Sequence, residues 1–226
     1  VVPFAPGGTT DIVARTVAEK IGAALGQTMI VENKAGGGGS VGATETSRAT
    51  PDGYSLGMAT VSTTAANPAI NPKIAYNPLT DFSPITNVAA TPNVIAVHPS
   101  FPAKDYKGFI AELKKNPGKY SYGSSGVGTS LHLAGEMLKS QAGVYAVHVP
   151  YRGASLALQD LLGGQIDFYF DPGIAVQHVR SGRLRVLAIG GKRRSATYPD
   201  VPTLEEAGLP GFDAGTTHGI YAPAHT

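Results

Sequence analysis

Twice in this chain a short apolar strand runs into a glycine-rich turn and then into a helix opened by hydroxyl residues. The first copy is VVPFAPGGTTDIVAR at 1–15 and the second is GKYSYGSSGVGTSLHLAGEM at 118–137. A strand that turns directly into a helix is the repeating unit of an α/β sheet. The first N–H groups of a helix have no partner inside it, and the peptide dipoles add partial positive charge there. Each turn therefore suits a carboxylate or phosphate, and Gly7 and Gly8 let a ligand approach the backbone itself. Taken alone, the first copy reads as the mouth of a core helix, capped by Thr10, with Asp11 in its first turn and Val13, Val17, Ile21 and Leu25 as the buried stripe. Two such mouths in separate halves could instead face each other across a cleft and grip two ends of one anionic ligand.

The connecting sequence extends the alternation. Strands are expected at Thr28–Val31, Tyr54–Ala59 and Val94–Val97, then at Lys119–Gly123, Tyr145–Val149, Ile166–Phe170 and Arg183–Ile189, with helices at Tyr106–Lys115, Ser155–Leu162 and Ala175–Arg180. Gly37, Gly39 and Gly42 satisfy G-x-G-x-x-G, but the helix after them is short and the next strand ends in Ala59-Thr60, without the acid a ribose requires. A glycine turn beside the cleft is the preferred reading. Thr60–Thr64 places hydroxyls at the carboxyl end of a strand, where open α/β sheets bind ligands, although a solvated loop has the same composition. Asn67-Pro68, Asn71-Pro72, Asn77-Pro78, Ser83-Pro84 and Thr91-Pro92 predict a connection that wanders over the surface. His98-Pro99, followed by Lys-rich helix formers, marks a domain crossing.

Composition removes several function classes. The 226 residues are long enough for a sizeable core, in one large or two small domains. Eighteen Lys+Arg against 16 Asp+Glu leave no electrostatic footprint for nucleic acid, and Lys192-Arg193-Arg194 reads as a solvated loop. No apolar run approaches the ~20 residues of a membrane span and no basic-then-apolar leader is seen, so a soluble chain is expected. The absence of cysteine excludes disulfides, thiol catalysis and Cys-ligated zinc. No H-E-x-x-H, P-loop or paired-carboxylate motif occurs, so neither a cofactor nor a metal is expected. A serine hydrolase using Ser125 is the competing class, but Val127 replaces the last glycine of G-x-S-x-G and no histidine stands in an obvious partner loop. His132, His148, His178 and His225 receive no chemical role. His218 lies where the chain recrosses beside the cleft.

The blocks VENKAGGGGSVGA, PDGYSLGM, HVPYRGASLALQDLLGGQIDFYFD and PDVPTLEEAGLPGF, with the two glycine loops, run the length of the chain in one order. Together they resemble the tripartite tricarboxylate transporter solute-binding proteins, also called Bug proteins. The resemblance implies a two-lobe periplasmic-binding-protein-like α/β fold of type II kind, with a mostly parallel sheet and flanking helices in each lobe and a cleft between. It implies a monomeric periplasmic receptor that closes by a hinge over a small carboxylate (a di- or tricarboxylate, an acidic amino acid or an aromatic acid) and delivers it to a membrane permease. Presentation of the ligand to a membrane sensor kinase is the alternative. The first lobe is expected at 1–98 plus 219–226 and the second at 99–218. Family chains begin slightly before this first strand and continue past the equivalent of Ala222, so the first lobe is expected to be incomplete here.

By the same resemblance the first lobe's ligand loop is Phe4, Ala5, Pro6, Gly7, Gly8, Thr9, Thr10 and Asp11, with Thr60, Ser62 and Thr63 beside it. The second lobe's loop contributes Ser124, Ser125, Gly126, Gly128, Thr129 and Ser130, and His218 stands near the returning crossover. Asp171 either receives a ligand ammonium or hydroxyl or caps the turn after it. The family typically holds its carboxylate by backbone amides, hydroxyls and waters, in keeping with two glycine loops that contain no Lys or Arg.

Overall fold

The structure is a computed structural model that describes residues 1–226. Its strands form two sheets joined by two crossing segments.

The first sheet has Gly57–Thr60 (β1), then Thr216–Pro223 (β8), then Phe82–Thr91 (β2), with antiparallel neighbours. Parallel pairing in this lobe comes from the chain start. Val2 bridges to Asn33, and on its other side the Met58 N–H donates to Val1 O at 3.0 Å. The strand expected at Thr28–Val31 is thus displaced to the residues around Asn33. Strand β2 runs straight through Pro84, where a breaker was expected. It is tolerated because β2 is an edge strand whose register shifts between Pro84 and Thr86, so the missing N–H leaves no rung unpaired in the sheet interior.

The second sheet has the order Val147–Pro150 (β5), Ser121–Ser124 (β4), Phe168–Asp171 (β6), Val94–Val97 (β3), Arg185–Ile189 (β7). Strands β5, β4 and β6 are mutually parallel. Strand β3 is antiparallel to both β6 and β7, so four of the five strands run one way. Every residue of β3 (VIAV) and β6 (FYFD) is buried, as expected for strands covered on both faces. Strand β3 therefore belongs to the second lobe, and Thr216 to His218 of β8 to the first. The boundaries expected at His98 and Gly219 fall one short segment too late at both crossings, because His98-Pro99 ends a strand inside the second sheet and does not mark the exit from the first.

Helices Tyr106–Lys115 (α4), Ser130–Ala142 (α5), Ala154–Leu162 (α6) and the short Val176–Arg180 (α7) surround this sheet. They close a core of 31 buried residues, in which Phe109 meets Phe168 edge-on at 5.0 Å. The first lobe's helices are Thr9–Leu25 (α1), Ser40–Ser47 (α2) and Asn67–Ile70 (α3), and its core is two clusters of four buried residues each. Since a fully buried apolar side chain contributes roughly 1.5–3 kcal/mol, most of the packing free energy lies in the second lobe. The buried face of α1 is Ala14, Ala18 and Gly22, one position from the expected valine stripe; Leu25 is exposed. Small residues are needed there because a Cβ on Gly22 would stand 2.7 Å from Gln27 O.

Pro92-Asn93 and Ala214-Gly215 carry the chain between lobes, and fully buried Asn93 ties them together. Its Nδ2 donates to Ala214 O, its Oδ1 accepts from Thr216 Oγ1 at 2.9 Å, and its backbone O accepts from the Gly190 N–H at 2.7 Å.

Candidate functional site

The first glycine loop is shaped from behind. Asp11 is 3% exposed. Its carboxylate accepts from the Gly7 N–H at 2.9 Å, from Arg15 Nε at 3.0 Å and from Asn33 Nδ2 at 2.8 Å, and Asn33 Nδ2 also donates to Phe4 O at 3.0 Å. Burial works against the charged carboxylate, but the Arg15, Gly7 and Asn33 donors together hold its pKa below the usual carboxylate range. Asp11 is therefore a brace for the loop, a correction to its place among the ligand contacts. The N-cap of α1 is Gly8, which has no side chain to spend on the helix N–H groups, and Thr10 does not cap. Thr9 Oγ1 donates across the cleft to Pro172 O at 3.2 Å.

Thr60–Thr64 is no solvated loop. Thr60 at the end of β1 and Ser62 and Thr63 are all buried, the latter two in a π-helical turn, Ser62–Ala66, that feeds directly into α3. Thr63 Oγ1 accepts from the Thr60 N–H at 3.0 Å, and Thr63 O accepts from Tyr76 O–H at 2.7 Å. Thr63 thus anchors the turn, while Thr60 and Ser62 present hydroxyls to the cleft.

In the second loop Ser124 is a structural residue. It is fully buried, and its Oγ lies 2.6 Å from His148 Nε2 and accepts from the Gly126 N–H at 3.1 Å. This Ser–His contact was not legible in the sequence, and it points away from the cleft. The residue that does border the cleft, Ser125, is hydrogen-bonded to no histidine, His148 being paired with Ser124 instead, so the hydrolase reading lacks its nucleophile–base contact. Thr129 Oγ1 donates to Gly126 O at 2.7 Å, and the Gly128 N–H donates to His132 Nδ1 at 3.2 Å. Burial, and next the facing His132, push His148 down to about 4. Burial likewise lowers His132, against a partly compensating Glu136. Both imidazoles are neutral props under the loop. Gly126 and Gly128 do not border the half-open cavity; they hold backbone in left-handed conformations where the lobes meet, and a Cβ on Gly126 would stand 3.1 Å from Gly38 Cα of the other lobe.

Asp171 resolves to a turn cap. Its two carboxylate oxygens accept from the N–H groups of Gly173, Ile174 and Ala175 at 3.0, 3.2 and 3.1 Å. Burial raises its pKa to about 6 in spite of those donors. The side chain is saturated and does not border the cavity, whereas the next residue, Pro172, does.

The remaining predicted residues converge. Phe4, Gly8, Thr9, Thr10, Thr60, Ser62, Ser125, Thr129, Ser130 and His218 line one half-open cavity of about 30 Å³ between the lobes. Three helix mouths open into it: α1 at Gly8, α5 at Thr129 and α6 at Gly153, none capped by a side chain. The third mouth was missed. Gly153-Ala154 lacks the hydroxyl pair that marks the other two, although the same strand–glycine–helix pattern runs through HVPYRGAS. Val61, Leu131, Ala154, Pro172 and Thr216 complete the lining; no lysine or arginine is among it. His218 is fully buried and neither ring nitrogen has a partner.

Ala5, Pro6 and Gly7 form the seam where the lobes touch. The Ala5 N–H donates to Arg152 O at 3.0 Å, and Ser155 Oγ donates to Pro6 O at 2.7 Å. Beside the half-open cavity, and sharing Phe4 and Ser125 with it, lies a wider one of about 460 Å³ bordered by the Gly36–Gly39 loop, Asn67 and Arg152. The tetraglycine run is explained here by close approach of backbones: a Cβ on Gly38 would stand 2.2 Å from Val127 O of the other lobe.

Residues 13–226 match the tripartite tricarboxylate transporter family receptor. Among solved structures, the periplasmic binding protein BugD is 40% identical, with a TM-score of 0.95 over all of this chain and 75% of its own. MatC from Rhodopseudomonas palustris with bound malate is 36% identical, with a TM-score of 0.94 over all of this chain and 77% of its own. R. palustris Rpa4515 with adipate is 31% identical, with a TM-score of 0.96 over all of this chain and 76% of its own.

Proposed function

The chain belongs to the tripartite tricarboxylate transporter receptor family, and on that premise we propose that it captures a small carboxylate between its lobes and delivers it to a membrane permease. Members of this family are periplasmic solute-binding receptors and not enzymes. No helix here is long and apolar enough to cross a membrane.

One observation carries the reading: three uncapped helix mouths, contributed by both lobes, open on a single cavity that contains hydroxyls and a histidine but no lysine or arginine. Unpaired N–H groups at helix starts complement negative charge. Recognition by backbone dipoles fixes the carboxylate and leaves the carbon skeleton to the cavity's shape. The bound malate of MatC and the adipate of Rpa4515 support a dicarboxylate of four to six carbons as first candidate, ahead of the tricarboxylates, acidic amino acids and aromatic acids.

Capture proceeds by hinge closure about Pro92-Asn93 and Ala214-Gly215. The contacts from Ala5 to Arg152, Pro6 to Ser155 and Thr9 to Pro172 form only when the lobes meet, and a ligand shifts the equilibrium by its extra contacts in that state. A thermal-shift screen of mono-, di- and tricarboxylates and acidic amino acids tests the reading. A true ligand at a hundred times its dissociation constant stabilises by about 2.7 kcal/mol. A flat response to every carboxylate would remove the proposal.

A further inference from the structure

His218 sits on β8 between Thr60 of β1 and Ala89 of β2, with 0% exposure, bordering the cavity between the lobes. Neither Nδ1 nor Nε2 finds a hydrogen-bond partner in the protein. Every other histidine nitrogen that holds a loop in this molecule has one, as with His148 on Ser124 and His132 on Gly128. A buried imidazole with two free nitrogens is costly unless something else satisfies them. The elements packed around it bring no charge to it. Thr9 and Thr10 come from α1, Ser62 from the turn after β1, Thr129 and Ser130 from α5 and Ala154 from α6. The nearest acids are already engaged, Asp11 by Gly7, Arg15 and Asn33, and Asp171 by three backbone N–H groups.

Resting on the proposed carboxylate capture, we propose that His218 makes binding proton-coupled: the imidazole is neutral in the free protein and takes one proton from solvent when a dicarboxylate closes into the cavity, so that the site selects doubly charged ligands. A dianion brought into a space without lysine or arginine leaves helix mouths as the only positive partners, and these carry partial charge. His218 is the one titratable side chain bordering the cavity. With the lobes closed and the cavity without a ligand, burial alone lowers it to about 4, so no protein charge opposes its protonation. An adjacent carboxylate favours the imidazolium and offers an acceptor to each N–H. Monocarboxylates lack the second charge and bind without the full proton uptake.

Because the ligand raises the value in the complex above that of the unliganded protein, affinity gains with falling pH across the interval between them. The dissociation constant tightens about tenfold per pH unit within that interval, the limit for uptake of one proton. Calorimetric titration of malate and of adipate near pH 6.5, in buffers of contrasting ionisation enthalpy, reads the uptake directly. The wild-type protein should take up close to one proton, and His218→Asn, which keeps a donor and an acceptor, should take up none. Binding without proton uptake, or uptake unchanged in His218→Asn, overturns the proposal while leaving carboxylate capture intact. Failure of every carboxylate to bind overturns both. Should His218→Asn fold poorly, the ring ¹⁵N shifts of wild-type His218 with and without malate decide: an imidazolium only in the complex supports the proposal, and a neutral ring in both contradicts it.

Discussion

Ser130 Oγ and Thr216 Oγ1 lie 2.7 Å apart, joining the mouth of α5 to the strand that returns the chain to the first lobe. Thr216 donates its own proton to Asn93 Oδ1, so the proton in this contact belongs to Ser130. Ser130 therefore faces the cavity as an acceptor, with its donor spent on the crossover, and it acts on the ligand chiefly by coupling the second loop to the hinge. Thr216→Val removes both bonds. We expect roughly 1–2 kcal/mol of lost stability, and affinity that falls with it because Ser130 and Asn93 lose their common partner; denaturant melts with matched calorimetry measure the two.

Closure itself is tested at Gly38. With φ of +60° and a would-be Cβ 2.2 Å from Val127 O, Gly38→Ala cannot reach the closed arrangement without a shift of backbone. The variant should lose ligand affinity by more than tenfold, and X-ray scattering should show no compaction on adding ligand. Wild-type affinity in Gly38→Ala would detach the glycine seam from capture.

Acid sensitivity follows from the two props under the second loop. His148 is held at about 4 and His132 below its ordinary value, chiefly by burial, whereas both titrate near 6.5 in the unfolded chain. Between about pH 6.5 and pH 4 the unfolded state binds protons that the folded state refuses, so stability falls as pH falls through that window. The melting temperature of ligand-free protein should decline across it, and His148→Gln should show a shallower decline. An unchanged slope would mean that His148 is charged in the folded state.

Asp11 predicts a change in the same direction, in a lower pH window. Its folded pKa is depressed, so its contribution is complete above its unfolded value near 3.8 and disappears as pH drops toward the folded one. Asp11→Asn should cost about 2 kcal/mol at neutral pH through the charge-assisted bonds to Gly7 and Arg15, and should weaken ligand binding because the loop it braces loosens. Full affinity in a folded Asp11→Asn protein would show that the loop holds its shape unaided.

Uneven cores predict uneven opening. Amides of β3, β4 and β6, inside the large core, should exchange at or near the global unfolding rate, and those of β1 and α2 faster. Hydrogen exchange followed by mass spectrometry separates the two groups, and ligand should protect the first lobe more than the second.

What could be read from sequence was what local chemistry decides. Val94–Val97 and Tyr106–Lys115 fall where periodicity placed them, and both glycine loops reach the same cavity. What could not be read depends on tertiary partners. Pro84 looks like a breaker until its strand proves to be an edge, and Thr60–Thr64 stays open between a ligand-facing hydroxyl cluster and a solvated loop until Tyr76 is seen to close over Thr63. Asp11 reads as a ligand contact in the sequence, and Asp171 as either a contact or a cap, because the Gly7, Arg15 and Asn33 donors on the first and the three backbone N–H groups on the second come together only once the chain has folded. The α6 mouth carries the single hydroxyl of Ser155, without the pair that opens α1 and α5.

The account rests on a carboxylate lying where the helix mouths of the two lobes converge, and a crystal structure of the protein grown with malate or adipate tests this most directly. The prediction is one carboxylate within hydrogen-bond distance of the first N–H groups of α1 and α6, about 2.7–3.2 Å, with the second in reach of His218. A diacid bound outside the cleft, or bound inside it through side-chain cations with the three mouths turned away, would contradict it.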